Sequence, residues 1–162
     1  DPALGKGYGE ALILDHFIDN VLSGEHGYER VVKCNGRLFV ENAEAIVAHL
    51  RADTDVACAL DGALTWADSR FLVARAATFA SLLHGLAGEI DERRGVYLEH
   101  VLMRRIAAAI GAGARWRPLP AVPRYSGTGA TGDRPYDGVR ERARWILHSA
   151  LRTLRYRPRS PV

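Results

Sequence analysis

Few thiols, few lysines and no long apolar run mark this sequence first. Among 162 residues there are two cysteines, Cys34 and Cys58, one methionine, Met103, and two lysines, Lys6 and Lys33. Neither cysteine lies in a C-x-x-C pair or has partners at tetrahedral spacing, which argues against a structural zinc site. Both stand among apolar, strand-like residues and are expected to be buried, reduced thiols. No stretch approaches the roughly 18 to 20 apolar residues that a spanning helix needs. A secretory leader pattern is missing from the start, so a cytoplasmic location is the default expectation. The segment Pro123-Arg124-Tyr125-Ser126-Gly127-Thr128-Gly129 has no G-K-[ST], which excludes a Walker loop. Asp53 and Asp55 form a D-x-D, but they precede a strand instead of following one, so they are read as loop residues and no metal ligand is assigned.

The rest is ordinary globular composition, 48% hydrophobic and 25% charged, in a length that suits one domain. The first residue is Asp1, and Gly5-Lys6-Gly7-Tyr8-Gly9-Glu10 runs straight into a helical pattern. A trimmed, processed or fragmentary chain is therefore expected. Net charge is +3, carried unevenly. From Gly138 onward seven arginines (140, 142, 144, 152, 155, 157, 159) face one acid, Glu141, and the body is slightly acidic. Arginine so outnumbers lysine that a GC-rich genome is the simplest source of the bias.

Hydrophobic periodicity places a helix over 10–22, with apolar residues at 11, 14, 18 and 22. Arg30–Cys34 reads as a buried strand, Asn35-Gly36 as a turn, and Arg37–Val40 as extended. Asn42 is the expected N-cap of a helix over 43–50. Asp55–Leu60 and Leu64–Val73 read as strands, and Ala76–Leu86 as a helix. Over Val96–Ile110 the residues Leu98, Leu102, Ile106 and Ile110 recur every four positions. Prolines 118, 120, 123 and 135 and glycines 127, 129 and 132 make 115–136 a loop, and a last helix is expected over 139–155. Strands alternating with helices predict an α/β fold, a partial mixed sheet flanked by helices. The domain reading is one body over 1–137 and a basic amphipathic helix and tail over 138–162.

Several constellations can carry chemistry. Lys33 and Arg37 flank a turn at a strand end, where open α/β sheets bind ligands, and can hold a diphosphate or carboxylate; two solvated cations is the alternative. Asp68 and Arg70 are a base or cation ligand with its partner, or simply an ion pair. Glu99 lies beside the apolar stripe of its helix and is a general base or an exposed acid. Ser126 and Gly127 belong to a loop that presents backbone N–H groups or closes as a lid, or to a linker. Arg140, Arg144, Trp145 and Arg152 suit an anionic membrane surface. Aromatic residues are sparse among the arginines, which argues against nucleic acid.

The order of these signals resembles a bacterial glycosyltransferase of GT-A type that builds surface polysaccharides. The residues that carry it are Lys6-Gly7-Tyr8-Gly9-Glu10 before a helix, then Val31-Val32-Lys33-Cys34-Asn35-Gly36-Arg37-Leu38-Phe39-Val40 with Asn42, then Asp68-Ser69-Arg70-Phe71, Tyr97-Leu98-Glu99-His100, and Pro123 with Ser126-Gly127. The resemblance covers most of the chain through short motifs. It implies a GT-A-like C-terminal half, whose nucleotide-binding half would precede Asp1. It also implies transfer of a sugar from a nucleotide-sugar donor to a glycan or lipid-linked acceptor, by a cytoplasmic enzyme peripheral to the membrane. Carried over by position, Lys33, Gly36 and Arg37 lie near the donor sugar and diphosphate, and Asp68 and Arg70 line the same cleft. Glu99 is the general base, Lys6 and Glu10 stand at the cleft floor, and Ser126 and Gly127 belong to a mobile lid. A divalent cation, Mn or Mg, is an option that no D-x-D after a strand supports. A non-catalytic binding or assembly module, docking its basic tail on a membrane or acidic partner, is the alternative.

Overall fold

The computed structural model describes residues 4–24 and 27–127, together with Ala143, Ile146 and Leu147. The elements run α1 (Lys6–Phe17), β1 (Arg30–Cys34), β2 (Leu38–Val40), α2 (Ala43–Ala48), β3 (Val56–Leu60), β4 (Ala67–Arg75), α3 (Ala76–Leu83), α4 (Leu98–Gly111), β5 (Trp116–Arg117) and β6 (Tyr125–Gly127). This is a mixed α/β fold. It divides into two compact units. The chain leaves the first unit after Cys34 and re-enters it at Arg51, so that, among the described residues, Asn35–Leu50 and the stretch from Leu119 to Gly127 belong to the second.

The first unit holds a four-stranded sheet in the order β1-β4-β3-β5. β4 pairs antiparallel with β1 and β3, and β3 pairs parallel with β5. The apolar run of β4, Phe71-Leu72-Val73-Ala74, is buried throughout, as a central strand covered on both faces requires. Pairing slips between Cys58↔Leu72 and Leu60↔Ala67, so the stretch of β4 holding Ser69 is locally out of step with β3. Irregularities of this kind re-aim side chains and are frequent beside functional sites.

One face of this sheet packs on helices. Ala11 and Leu14 of α1, Phe79, Leu82 and Leu83 of α3, and Leu98, Val101, Leu102 and Ile106 of α4 meet Val56, Cys58, Leu72 and Ala74. Their spacing at three and four residues gives each helix one apolar stripe. Phe17 meets Phe79 edge to face at 6.0 Å. Each such side chain contributes roughly 1.5–3 kcal/mol on burial, and together they fix where the helix starts stand over the sheet.

α1 begins four residues before the periodic pattern suggests and relaxes into a π turn over Ile18–Leu22. The cause is a cap from far along the chain: Gly7 N donates to Glu92 Oε1 at 2.7 Å. Gly5 is left-handed, at φ +99°, and a Cβ there would fall 2.2 Å from the Glu92 carboxyl carbon. At Gly7 a Cβ would stand 2.9 Å from Glu92 Oε1. The glycines of the opening motif therefore admit an internal carboxylate to the positive end of the helix.

The cysteine expectation holds for Cys58, which is buried, and fails for Cys34, which is exposed. Strand alternation explains the failure: Lys33 takes the inward position at the end of β1, and its neighbour must point the other way. Burial pushes the Cys58 thiol up to about 12, which keeps it inert.

In the second unit β2 pairs antiparallel with β6, Leu38 opposite Gly127 and Val40 opposite Tyr125. Asn42 stands at the start of α2 but does not cap it through its side chain. Its Nδ2 donates to Val122 O at 3.0 Å and its Oδ1 accepts from Arg124 N at 2.8 Å, clamping the segment before β6. Bonding to a backbone that needs partners has displaced the local cap. The expected loop over 115–136 thus holds two short strands within its described part. Of the helix expected over 139–155 only Ala143, Ile146 and Leu147 are described, and Arg140, Arg144, Trp145 and Arg152 lie outside the described residues. Among the described residues no helix is long and apolar enough to cross a membrane.

Candidate functional site

Four elements of the first unit bring Glu10, Lys33, Ser69 and Glu99 together. Lys33 closes β1 on the helix-covered face, opposite Leu72, and its side chain is only 5% exposed. A lysine that deep needs its charge matched and its N–H groups accepted. Its ammonium forms an ion pair with Glu10 Oε1 from α1 and donates to the backbone carbonyl of Ser69 on β4. The Ser69 hydroxyl, itself buried, donates to Glu99 Oε1 of α4 at 2.8 Å. A hydroxyl on a carboxylate is a charge-assisted bond, and it fixes the Glu99 rotamer.

The electrostatics follow from depth. Glu10 stays about one-third exposed at 32%, so one end of its carboxylate reaches solvent while the other meets the buried ammonium. Glu99 is half-buried in the first turn of α4, where the helix N-terminus favours an acid. The arrangement presents a carboxylate held in one orientation at the rim of an apolar core. Such a group can take a proton from a hydroxyl brought to it.

Other expected site residues go elsewhere. Asp68 and Arg70, two apart on β4, pair with one another: Arg70 Nη2 to Asp68 Oδ2 is 2.7 Å and Arg70 Nε to Asp68 Oδ1 is 2.9 Å. Lys6 is exposed in the first turn of α1. Gly36 and Arg37 form the turn closed by Leu38 N to Asn35 O at 2.9 Å, in the second unit.

Ser126 and Gly127 are also in the second unit, in β6 rather than a lid. Gly127 has φ +104°, and a Cβ there would fall 2.4 Å from the Arg37 carbonyl oxygen. The glycine therefore permits the close pairing of β6 on β2.

Asp53, excluded above as a metal ligand, gathers arginines. Its Oδ1 accepts from Arg51 Nε at 3.1 Å, and its Oδ2 lies 3.1 Å from Arg117 Nη2 and 3.7 Å from Arg115 Nη1. The Arg51 hydrogen bond, followed by the pull of Arg117, holds its carboxyl below the usual range. Asp55 Oδ2 accepts Arg115 N at 2.8 Å, and its Oδ1 faces Arg75 Nε at 3.2 Å. Among the described residues no group of three or more His, Cys, Asp or Glu side chains is placed to hold a metal ion.

Ser69 is the residue to which sequence reasoning gave no role. It stands between Asp68 and Arg70, the two that were singled out, and only the local slip of β4 shows that it is the one turned to α4. Trp66 was passed over too, and Tyr97 and His100 were quoted without a role; the three form an aromatic group, with Trp66 and His100 ring centres 4.9 Å apart.

The class the fold supports is a mixed α/β protein with a buried lysine paired to a half-buried glutamate, beside a serine-held glutamate. No protein-family model matches the sequence, and no curated protein or solved structure is significantly similar to it.

Proposed function

We propose that this chain supplies the acceptor side of a GT-A-type, nucleotide-sugar-dependent glycosyltransferase. The sugar goes to a glycan or lipid-linked acceptor in surface polysaccharide synthesis. The motif order described above supports the reading. The observation that carries it is Glu99, held by Ser69 next to the Lys33–Glu10 pair, because all four of these residues belong to motifs of the resemblance.

In this reading the acceptor hydroxyl oxygen attacks the anomeric carbon of the donor. The bond from that carbon to the diphosphate oxygen breaks, and its electron pair leaves with the nucleoside diphosphate. Glu99 takes the hydroxyl proton as the new glycosidic bond forms. Lys33 and Glu10 hold the end of β1 and the face of α1 around it. Asp68, partly buried, is paired with Arg70 in the same strand.

The test is a panel of nucleotide diphosphate-sugars, with and without manganese, read first by melting temperature. A bound donor raises it by mass action, by about 2.7 kcal/mol of stability at a hundred times Kd. Sugar release or transfer is then followed for the protein and for Glu99→Gln. Turnover falling by about 10²–10⁴-fold, with the melting shift kept, is the expected result. No shift with any donor and no turnover sensitive to Glu99→Gln would sink the proposal.

A further inference from the structure

Trp66, Tyr97 and His100 form a ring cluster that the core does not use. Trp66 is 37% and Tyr97 40% exposed, both high for large aromatic side chains. His100 meets Trp66 edge-on at 4.9 Å and 89°. Tyr97 is tilted against both, by 50° to Trp66 at 6.1 Å and by 59° to His100 at 5.5 Å. Partly exposed aromatic clusters of this kind mark contact sites more often than scattered apolar residues do.

The cluster is held in place from behind. Asp61 Oδ1 accepts from Thr65 N at 2.8 Å and Trp66 N at 2.9 Å, and its Oδ2 accepts the Thr65 hydroxyl at 2.8 Å. Asp61 N in turn donates to Trp66 O at 2.9 Å. Inside this ring Leu64 takes φ +56°, the left-handed region that a branched side chain seldom occupies. Strain kept in this way is found where a surface is being shaped. The Trp66 backbone, to whose N–H the Asp61 carboxylate is bonded, is thereby fixed before any ligand arrives.

Position ties the cluster to Glu99. The first turn of α4 is touched twice from this side, by Trp66, which stands just before β4, on His100, and by Ser69 of β4 on Glu99. Tyr97 and His100 flank Glu99 in the chain. We infer that Trp66, Tyr97 and His100 are a stacking platform for a pyranose ring of the acceptor, which sets one of its hydroxyls at Glu99. The inference rests on the transferase reading for its purpose, and on the aromatic cluster for its chemistry.

Ring geometry selects the occupant. A pyranose has an apolar face of C–H groups and a rim of hydroxyls, so it packs a face on an aromatic ring and turns its rim to polar neighbours. A flat nucleobase gains most from parallel rings above and below it. Here the three rings are tilted by 50° to 89°, so they make an angled wall and no parallel slot. The imidazole within this wall suits hydroxyl groups.

Saturation-transfer NMR on the full chain tests this with soluble tetrasaccharides of glucose, galactose, mannose and N-acetylhexosamines. The expected result is saturation of pyranose C–H protons with the unaltered protein and with Trp66→Phe. Trp66→Ala and Tyr97→Ala, with unchanged circular dichroism, should each raise Kd by about tenfold, which is 1.4 kcal/mol. Glu99→Gln should keep saccharide binding while losing turnover, so a failed transferase reading leaves the platform visible. No saturation of any saccharide, equal Kd in Trp66→Ala, or saturation of the base protons of a nucleotide-sugar in place of pyranose protons would overturn the inference.

Discussion

The first unit uses cations in two ways. At the end of β1 a single lysine, 5% exposed, is joined to groups from α1 and β4. Around Asp53 three arginines share one carboxylate, with Arg51 70% and Arg115 61% exposed. The second group has more charges and more pairs, yet it contributes less to the fold. Exposed pairs are weakened by water and by the entropy of long side chains. A buried ammonium gives the chain no such latitude, because its desolvation is costly unless the geometry is kept. Three arginines near Asp53 can trade places; Lys33 cannot be replaced by a neighbour.

That contrast is broken most sharply at Lys33. Lys33→Ala removes the partner of a carboxylate that is two-thirds covered and leaves a hole at the end of the sheet. Removing one member of a buried pair costs about 3 kcal/mol or more, and some of that is relieved here because Glu10 reaches solvent. The urea midpoint should fall with an unchanged slope. Lys33→Met, which fills the space, should recover a large part of the loss when paired with Glu10→Leu. Equal stability of Lys33→Ala and the parent would mean that depth does not set the value of this cation.

Ser69→Ala sharpens the same point with a smaller effect. The hydroxyl is buried and its acceptor is a carboxyl oxygen, so its loss should cost about 1–3 kcal/mol. A double-mutant cycle with Glu99→Gln reads the coupling directly. The Gln carbonyl still accepts from Ser69, so Glu99→Gln alone should be the milder change for stability and the stronger one for turnover.

Much of this was legible in advance, and the reason differs by element. β1, β3 and α4 were visible because their patterns are set by burial on one face or two, a property of the residues themselves. Lys33, Glu10 and Glu99 were also marked in the sequence as site residues. What stayed hidden depends on partners distant in the chain. The start of α1 is set by Glu92, 85 residues after Gly7. Asn42 gives up capping to hold Val122 and Arg124, and Gly127 is glycine because of the Arg37 carbonyl. Ser69 was hidden by a slip in pairing with β3, which no alternation of β4 alone can show.

Glu92 lies between the two extremes of the comparison. It is half-buried and answers a helix end in place of a side-chain cation. Glu92→Ala removes the cap on Gly7 and should cost about 1 kcal/mol, with faster amide exchange confined to the first turn of α1. Gly5→Ala should cost more than Glu92→Ala, since it both strains a φ of +99° and collides with the carboxylate. The reverse order would show that Glu92 is not what holds the turn.

The smallest effect belongs to Asp53, and pH separates it from the rest. Its carboxyl is held below the ordinary value, first by the hydrogen bond from Arg51. A depressed folded-state pKa adds stability above the unfolded value, near 4, and that increment is lost as pH falls through the folded value. Asp53→Asn should therefore differ slightly from the parent at pH 7. The two melting curves should converge below pH 4, and 1 M salt should bring them together at pH 7 as well. Lys33→Ala should keep most of its deficit in salt, because a buried pair is screened far less than an exposed one. If salt closed the Lys33 gap as readily as the Asp53 gap, the two groups of cations would be the same kind of interaction, and the distinction between them would fall.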